Sequence, residues 1–484
     1  MRLPRRRSAR FDLVVLGGGT GGIVSSLIAA RAGARVALVE RERTGGDCLW
    51  TGCVPSKSLL AAAELAHRMR HADDVGLEPR EPQIDFGAIM GHVERAIRWI
   101  EPQDSPERLR REGVEVVEAE GRFEAPGVIA ADGAELRFRR AIVATGSEPV
   151  LPPVDGLSAA DPLTTESVWQ LRELPDRLLV LGGGPVGCEL GQAFARLGAR
   201  VTLIELADRL LLKEEPRASR LIAERLREEG VDVRVGQRAL SAAAGALTVE
   251  ATGGGTETIS FDRILVATGR APRTEGIGLE RVGVRVDGRG AVIVDRRLRT
   301  TARSVYAVGD VTALLPFTHV AAHHARVASP NAVFGLRRSV DGPLPWVTFT
   351  DPEVARVGLT EADARQRWGD RITVSTAEYS ELDRAIAGGH GYGFATLVSD
   401  PRGRLVGATV AAPGGGEAIA ELTAWLASGA KIDAVSTTVH AYPTLAEGAA
   451  RAADAHVIAR YGRPQMRAVT HVALALARGL DRRA

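Results

Sequence analysis

The sequence predicts an α/β fold: two similar strand–helix–strand units followed by a C-terminal module of the α+β kind. Three observations predict it. First, a strand, a glycine-rich turn, a helix and a second strand ending in an acid occur once over Phe11–Glu40 and again over Arg177–Glu205, about 165 residues later. Second, a strand running into a Gly-Pro turn also occurs twice, as Arg140–Val143 with Ala144–Pro149 and as Arg263–Val266 with Ala267–Pro272. Third, from Pro343 the pattern changes to alternating strands (Trp346–Phe349, Ala395–Val398, Leu405–Val410) and then helices (Glu417–Ser428, Ala446–Ile458).

Taken in order, Phe11–Leu16 is an apolar strand, and Gly17-Gly18-Gly19-Thr20-Gly21-Gly22 opens an Ala-rich helix that runs to Arg31. Arg35–Val39 is an alternating strand closed by Glu40. In the second copy, strand Arg177–Leu181 leads into Gly182-Gly183-Gly184-Pro185-Val186-Gly187, a helix through Arg196 and strand Arg200–Ile204, closed by Glu205. Each is a complete G-x-G-x-x-G dinucleotide fingerprint in context. The first glycine makes the tight turn, the second lets backbone N–H groups approach a pyrophosphate, and the third lets helix pack on strand. The helix N-terminus offers partial positive charge to phosphates, and the closing carboxylate accepts from ribose hydroxyls. A single G-x-G-x-x-G is weak evidence; two full copies with correctly placed acids are strong. Glu205 suits a ribose diol and repels a 2′-phosphate, so the second unit favours NADH. Arg209, a turn later, leaves NADPH open. Pro152–Pro162, rich in Pro, Gly and Asp, reads as a connector, and the chain from Pro272 reads as strands up to Val305–Val308 and Gly309-Asp310.

With 484 residues the chain exceeds one hydrophobic core, and about 150 residues per domain suggests three or so. Its 45% apolar and 25% charged residues fit a soluble globular enzyme rather than a disordered or fibrous chain. A net charge of +2 gives no reason to expect a nucleic-acid or membrane-surface partner. Five arginines crowd Met1–Arg10, but the apolar run after them is six residues ending in glycines, too short for a signal sequence. No apolar run approaches the roughly 20 residues that span a bilayer.

Cys48, Cys53 and Cys188 are the only cysteines, too few for a disulfide-stapled secreted scaffold, so a cytoplasmic location is expected. Lys57, Lys213 and Lys431 are the only lysines among 62 cationic residues, which draws attention to a lysine four residues after Cys53. The segment Gly45-Gly46-Asp47-Cys48-Leu49-Trp50-Thr51-Gly52-Cys53-Val54-Pro55-Ser56-Lys57 follows the first unit directly. Two cysteines five apart can face one another near a helix start, whose dipole lowers a thiol pKa and generates the reactive thiolate. The alternatives are a metal half-site, for which no second Cys/His pair at zinc spacing exists, and two small packing residues. No metal site is expected.

At these motifs the chain resembles the pyridine nucleotide–disulfide oxidoreductases, a family that includes lipoamide dehydrogenase, glutathione reductase and mercuric reductase. The resemblance runs from Phe11 to Ile458 and rests on Gly-Gly-Asp-Cys-x4-Cys-Val-Pro-Ser-Lys, both fingerprints, Tyr306-Ala-Val-Gly-Asp310 and Tyr442-Pro-Thr-x-x-Glu447. It implies an FAD-binding domain over 11–154, an NAD(P)H-binding domain over 155–271, a central segment over 272–342 completing the FAD site, an interface domain over 343–462 and a tail over 463–484. Gly17, Gly19, Gly22, Glu40, Gly46, Lys57, Gly121, Thr145, Gly146, Asp310 and Thr318 would then hold FAD. Gly182, Gly184, Gly187, Glu205 and Gly269 would hold the nicotinamide nucleotide. The resemblance further implies that electrons pass from NAD(P)H through flavin to a Cys48–Cys53 disulfide, with Cys53 facing the flavin and Cys48 attacking substrate. Lys57 would pair with Glu189, the buried cation tuning the flavin, Cys188 would be a packing residue, and the interface domain would form a homodimer that brings Tyr442 and Glu447 to the partner's cysteines.

Three departures shape the functional expectation. In lipoamide dehydrogenase and glutathione reductase a histidine, held by the motif's glutamate, serves the substrate-facing thiol; here Tyr442 stands there. A tyrosine, with an ordinary pKa of about 10, is no base near neutrality, and loss of a general base costs on the order of 10²–10⁴ in rate. His440, two residues earlier on a segment read as extended, would point the same way, but the family places no histidine there at the thiols and it is read as a structural residue rather than a substitute base. Mercuric reductase shares the tyrosine, and a soft metal held by thiolates needs no such relay. This chain, however, has no cysteine after Cys188, and is read as lacking an N-terminal metal-capturing domain. Finally, Pro185 occupies the position of a tyrosine that gates the nicotinamide site of glutathione reductase. The expectation is an FAD enzyme passing electrons from NADH to a small-molecule or metal-ion acceptor, in the manner of mercuric reductase. A dihydrolipoyl dehydrogenase, a quinone or dye diaphorase and a non-catalytic redox sensor remain open alternatives.

Overall fold

The computed structural model describes residues 10–251, 253–461 and 464–481, so most of the arginine-rich arm lies outside the described residues. The chain forms two compact units. One gathers the chain up to Arg70, Glu81–Asp208 and Gly230–Asp341; the other gathers His71–Arg80, Arg209–Glu229 and the chain from Gly342.

The first unit opens with β1 (Phe11–Leu16), α1 (Thr20–Arg31), β2 (Val36–Glu40), α2 (Gly46–Trp50) and α3 (Cys53–Arg70). After α4 (Phe86–Ile100) and α5 (Pro106–Arg111) come β3 (Val114–Glu118), β4 (Gly121–Ala125), β5 (Val128–Ala131), β6 (Ala134–Val143) and β7 (Ser147–Pro149). The second repeat supplies β8 (Arg177–Leu181), α6 (Pro185–Arg196) and β9 (Arg200–Glu205). The next helix, α7 (Pro216–Glu228), belongs to the second unit. The first unit resumes with β10 (Asp232–Val235), β11 (Gln237–Ala243), β12 (Ala246–Ala251), β13 (Thr256–Ser260), β14 (Arg263–Val266) and β15 (Arg270–Pro272), and ends with β16 (Val305–Ala307) and α8 (Thr318–Phe334).

The main sheet runs β3-β2-β1-β6-β5-β4, with β16 also on β6. Strands β3, β2, β1, β6 and β16 are parallel, whereas β4, β5 and β6 form an antiparallel meander. Parallel strands are covered on both faces, and the sequence of β1 shows why this one works. Leu13 and Val15 face one way into a cluster with Ile23 and Leu27 of α1 and Val327 and Ala328 of α8. Val14 and Leu16 face the other way into a cluster with Phe123, Ile129 and Phe138. Nearly every β1 residue is therefore apolar, and its C-terminal end is pinned at the level of the first glycine turn. The second repeat builds a separate parallel sheet, β10-β9-β8-β14.

Two features of this unit differ from expectation. The two Gly-Pro turns pair with one another as an antiparallel ribbon, β7 with β15, with Arg270 opposite Pro149. The stretch after Pro272, expected as strands, holds a short 3₁₀ helix, Leu279–Val282, and isolated bridges such as Val286↔Val292 and Val294↔Thr300 before β16. Its turn-forming Asp287-Gly288-Arg289-Gly290 interrupts any longer pairing.

The second unit contains α7 and a five-stranded antiparallel sheet, β17-β18-β21-β20-β19. Its remaining elements are β17 (Pro345–Thr348), β18 (Glu353–Gly358), α9 (Glu361–Trp368), β19 (Thr373–Glu378), α10 (Asp383–Ala387), β20 (Phe394–Ser399), β21 (Leu405–Ala412), α11 (Gly415–Ser428), α12 (Ile432–Thr437) and α13 (Glu447–Tyr461). The stretch read as a tail carries a helix, α14 (Pro464–Asp481). Ala355, Val357, Leu397 and Val410 pack under Ile419 and Leu422 of α11 and Ala452 and Ala453 of α13. Among the described residues no helix is long and apolar enough to cross a membrane.

Candidate active site

The two glycine turns are geometrically the same object. Gly17 and Gly182 sit at φ +106 and +114, in the left-handed region that only glycine enters cheaply. A Cβ on Gly182 would stand 2.6 Å from the Ala267 carbonyl oxygen, and one on Gly17 would strike that of Ala144. Gly19 and Gly184 then cap α1 and α6 with φ/ψ of −74/−175 and −75/−176, and neither helix start is capped by a side chain. Backbone donors at both helix starts thus have no side-chain acceptor, as a bound diphosphate requires. Gly22 and Gly187 lie against the carbonyls of Gly17 and Gly182, where a side chain would collide.

The acids match as well. Glu40 accepts from Gly18 N–H at 2.6 Å and Glu42 N–H at 2.9 Å, while Glu205 accepts from Gly183 N–H and Ala207 N–H, both at 2.7 Å. Each carboxylate therefore braces its own glycine turn and presents its remaining lone pairs beside it. At the first turn Gly46 packs directly on Gly19, where a Cβ would come within 2.6 Å of Gly19 Cα, so the second loop closes against the glycine turn only because both residues lack side chains. On these grounds the residues fit a dinucleotide such as FAD. Asp310 follows β16 and accepts from Ser147 Oγ at 2.8 Å; burial pushes its carboxyl upward. Thr145 Oγ1 donates to the Arg273 carbonyl at 2.6 Å, and Gly146 and Gly269 hold φ of +74 and +150 with open space around them. Gly121 is a packing glycine beneath Leu16 and Val39.

The cysteines stand at adjoining helices: Cys48 within α2, and Cys53 as the first residue of α3. Both are free thiols, Cys48 half-buried and Cys53 exposed. The two sulfurs act on one another in opposite senses, which favours the proton on Cys48 and the charge on Cys53. Cys53 is lowered to about 6, by the Cys48 hydrogen bond first and then by Thr318 and the Lys57 charge, against partial burial. Cys48 is pushed well above the ordinary thiol range by donating to Cys53 and by burial. Thr318 Oγ1, at the start of α8, lies 3.2 Å from Cys53 Sγ. Lys57, one turn along α3, meets Glu189 of α6 at 2.8 Å. The helix opened by the second glycine turn thus delivers a buried carboxylate to the lysine beside the dithiol. Cys188, next to Glu189, is buried, donates to the Gly183 carbonyl at 3.4 Å, and is pushed upward by burial.

Sequence reasoning missed Arg270. Its guanidinium donates to Ser147 Oγ at 2.8 Å, Ser147 O at 2.7 Å and Thr165 Oγ1 at 3.1 Å, and forms an ion pair with Asp47. Arg273 lies 3.6 Å from the same Asp47 and 2.6 Å from Glu166. One arginine thus joins the residue preceding Cys48 to the serine that holds Asp310. The only available signal was its place in the repeated Gly-Pro turn.

In the second unit, Tyr442 is 68% exposed and donates to Asp383 at 2.6 Å, which pushes the phenol upward. Glu447 accepts from Thr444 N–H at 3.4 Å and lies 3.8 Å from Arg451. His440 does not point with Tyr442, contrary to the expectation from an extended segment. Its Nε2 lies 2.9 Å from Glu421 and its Nδ1 2.9 Å from the Thr438 carbonyl, because the chain is irregular here and bends at Tyr442.

Two nucleotide turns, an asymmetric dithiol and an ion pair beside it define a flavin dithiol oxidoreductase. The chain belongs to the pyridine nucleotide-disulphide oxidoreductase family: residues 11–325 match the family model of that name, and residues 344–453 match its dimerisation domain. Members of this family use FAD and NAD(P)H and act on sulfur groups or metal acceptors. The chain is 38% identical to a mercuric reductase of Streptomyces lividans over 455 residues, 92% of this chain and 96% of that one. It is equally 38% identical, over 453 residues, to a dihydrolipoyl dehydrogenase of Thermus scotoductus, covering 92% and 97%. Among solved structures it resembles the Cu(II) complex of the HOCl-induced flavoprotein disulfide reductase RclA from Escherichia coli, with a TM-score of 0.80 and 27% identity over 90% of this chain and 98% of that one.

Proposed function

We propose that the protein passes electrons from NADH through bound flavin and the Cys48–Cys53 pair to a small thiol-reactive acceptor, with soft metal ions such as Hg(II) as the favoured class. The observation that carries this reading is the split dithiol. Thr318 and the Lys57 charge favour the thiolate at Cys53, while the neighbouring sulfur and burial favour the protonated thiol at the half-buried Cys48. NADH yields NAD⁺, a proton and two electrons, which convert a Cys48–Cys53 disulfide to thiol plus thiolate; the acceptor then takes the two electrons and restores the disulfide.

Bound FAD supplies the hydride acceptor and two-electron carrier between nicotinamide and disulfide. Gly17, Gly19, Gly22, Glu40, Gly46, Lys57, Gly121, Thr145, Gly146, Asp310 and Thr318 would hold it. Gly182, Gly184, Gly187, Glu205 and Gly269 would hold NADH, the Glu205 carboxylate disfavouring a 2′-phosphate. The dimerisation-domain match supports a homodimer, in which Tyr442 and Glu447 would serve the partner's cysteines, and free thiols suit a reducing cytoplasm.

The metal-ion class is supported by Tyr442, exposed and raised in pKa where a proton-relaying histidine would stand, by a relative named mercuric reductase, and by a similar flavoprotein disulfide reductase solved as a Cu(II) complex. A second reading, dihydrolipoyl dehydrogenase, is supported by an equally similar relative. The test is a panel of Hg(II), lipoamide, glutathione disulfide and quinones under NADH, run on wild type and Cys48→Ser. The proposal expects Hg(II)-dependent NADH oxidation that vanishes in Cys48→Ser. Full activity of that variant on every acceptor would sink it, and lipoamide turnover far above Hg(II) turnover would favour the second reading.

A further inference from the structure

We propose that Trp169 is a positioning residue for the dithiol, holding the loop between Cys48 and Cys53 in the form that closes as a disulfide. This rests on the dithiol reading above. Asp47 stands just before Cys48, and Thr51 two residues before Cys53. The loop between them is tightly bent: Thr51 N–H donates to the Asp47 carbonyl at 2.9 Å, and a Cβ on Gly52 would stand 2.8 Å from that same oxygen. The chain itself cannot serve the Thr51 carbonyl in the helical manner, because Pro55, four residues on, carries no N–H. Trp169 supplies the donor from the 3₁₀ turn Val168–Gln170, anchored by the buried Val168. Its indole N–H reaches Thr51 O and Thr165 O, both at 2.8 Å.

The same segment grips the other end of the loop. Thr165 Oγ1 accepts from Arg270, which forms an ion pair with Asp47. Glu166 pairs at 2.6 Å with Arg273, which lies 3.6 Å from Asp47. Residues 165–169 thus act on both Asp47 and Thr51. At Asp47 two arginines are engaged, so a single change there is buffered. At Thr51 the donor is one indole.

The redox consequence follows from geometry. A disulfide confines its two Cα atoms to about 4.4–6.8 Å apart, and departures store strain that makes the bond easier to reduce. A dithiol has no such limit. Restraint of the loop ends therefore removes conformational freedom from the dithiol and leaves the disulfide nearly unchanged, which lowers the potential of the pair. Loss of one restraint releases the dithiol, and the equilibrium moves towards it.

The experiment equilibrates the FAD-loaded holoenzyme anaerobically with reduced and oxidised dithiothreitol, in wild type, Trp169→Phe and Trp169→Leu. Phenylalanine keeps an aromatic ring and deletes the donor; leucine removes both. In the exchange the enzyme disulfide takes two electrons and two protons from reduced dithiothreitol, which closes to its own cyclic disulfide. Acid quench and alkylation then count free Cys48 and Cys53 by peptide mass. Each variant is expected to shift the equilibrium about tenfold towards dithiol, about 30 mV upward for a two-electron couple. Chemical unfolding of the oxidised and the reduced enzyme separates positioning from bulk stability. The folding equilibrium of the oxidised Trp169→Phe enzyme should fall about tenfold further than that of the reduced form, closing the same cycle. A wild-type potential in either variant, a shift towards the disulfide, or an equal loss of stability in the two redox forms overturns the inference. If wild type itself forms no Cys48–Cys53 disulfide across the dithiothreitol series, the dithiol reading fails; if it does and the variants match it, only the role of Trp169 fails.

Discussion

Lys57 Nζ lies 2.8 Å from Glu189 Oε2, and the two side chains have opposite effects on the same thiol. The Lys57 charge lowers Cys53 and the Glu189 charge raises it. Lys57→Met should therefore move the Cys53 titration upward from about 6, and Glu189→Gln should move it further down. In NADH-reduced wild type, Cys53 thiolate forms as pH rises through about 6 and disappears below it. The check is the pH dependence of thiolate absorbance in all three proteins. Shifts of the same sign in both variants would contradict the assignment. Lys57→Met also removes the counter-charge of a carboxylate whose side chain is 8% exposed, which should cost roughly 2 kcal/mol in a denaturant titration.

Arg270 bonds Ser147, Thr165 and Asp47 at once, and Ser147 in turn holds Asp310. Arg270→Ala should cost about 2 kcal/mol, since it leaves partly buried acceptors unpaired. Because the lost contacts flank the dinucleotide cradle and Cys48, bound FAD should dissociate measurably faster than from wild type, as read by flavin fluorescence on dilution. Arg270→Lys should recover little, because a single ammonium cannot reproduce a planar fork that serves several acceptors.

His324 is 1% exposed on α8 and accepts from Gly309 N–H at 3.2 Å through Nδ1, a bond that only the neutral ring can make. Burial lowers its pKa to about 4, with the neighbouring His323 adding to the effect. The folded value lies below the unfolded value of about 6.5, so the unfolded chain binds the extra proton first. Stability from this group is fully present above about 6.5 and is lost as pH falls towards about 4. Chemical unfolding at pH 7 and pH 4.5 should differ by on the order of 2 kcal/mol from this group, and His324→Gln should remove that part of the difference.

These positions show what the sequence could and could not disclose. Strands β1 and β8 were legible because both faces are buried, which demands unbroken apolar runs, and because Gly17 and Gly182 enforce a turn at their ends. The acids Glu40 and Glu205 followed from strand length and spacing alone. Arg270 was not legible: it is one arginine among many, and its partners Asp47 and Ser147 are 223 and 123 residues away, joined by three-residue strands too short to leave a pattern. The reading of His440 failed for a different reason. Alternation of side chains holds in a strand, and residues 440–442 form none.

Tyr442 offers the sharpest test of acceptor class. Its hydroxyl donates to Asp383, and that carboxylate, with Glu447 adding to it, stabilises the protonated phenol. It can donate a hydrogen bond across neutral pH but cannot take a proton from a thiol. Tyr442→His would place a group with a pKa near 6.5 in the same motif. NAD⁺-dependent dihydrolipoamide oxidation, which needs a base, should rise by about 10-fold or more, whereas Hg(II)-dependent NADH oxidation should rise little or fall. Because Tyr442 is 68% exposed, the exchange should change stability by less than about 0.5 kcal/mol, so altered rates would report chemistry rather than folding. Wild-type dihydrolipoamide oxidation that already matches the Tyr442→His rate would argue that this motif does not limit proton transfer and would return the enzyme to the dihydrolipoyl dehydrogenase reading.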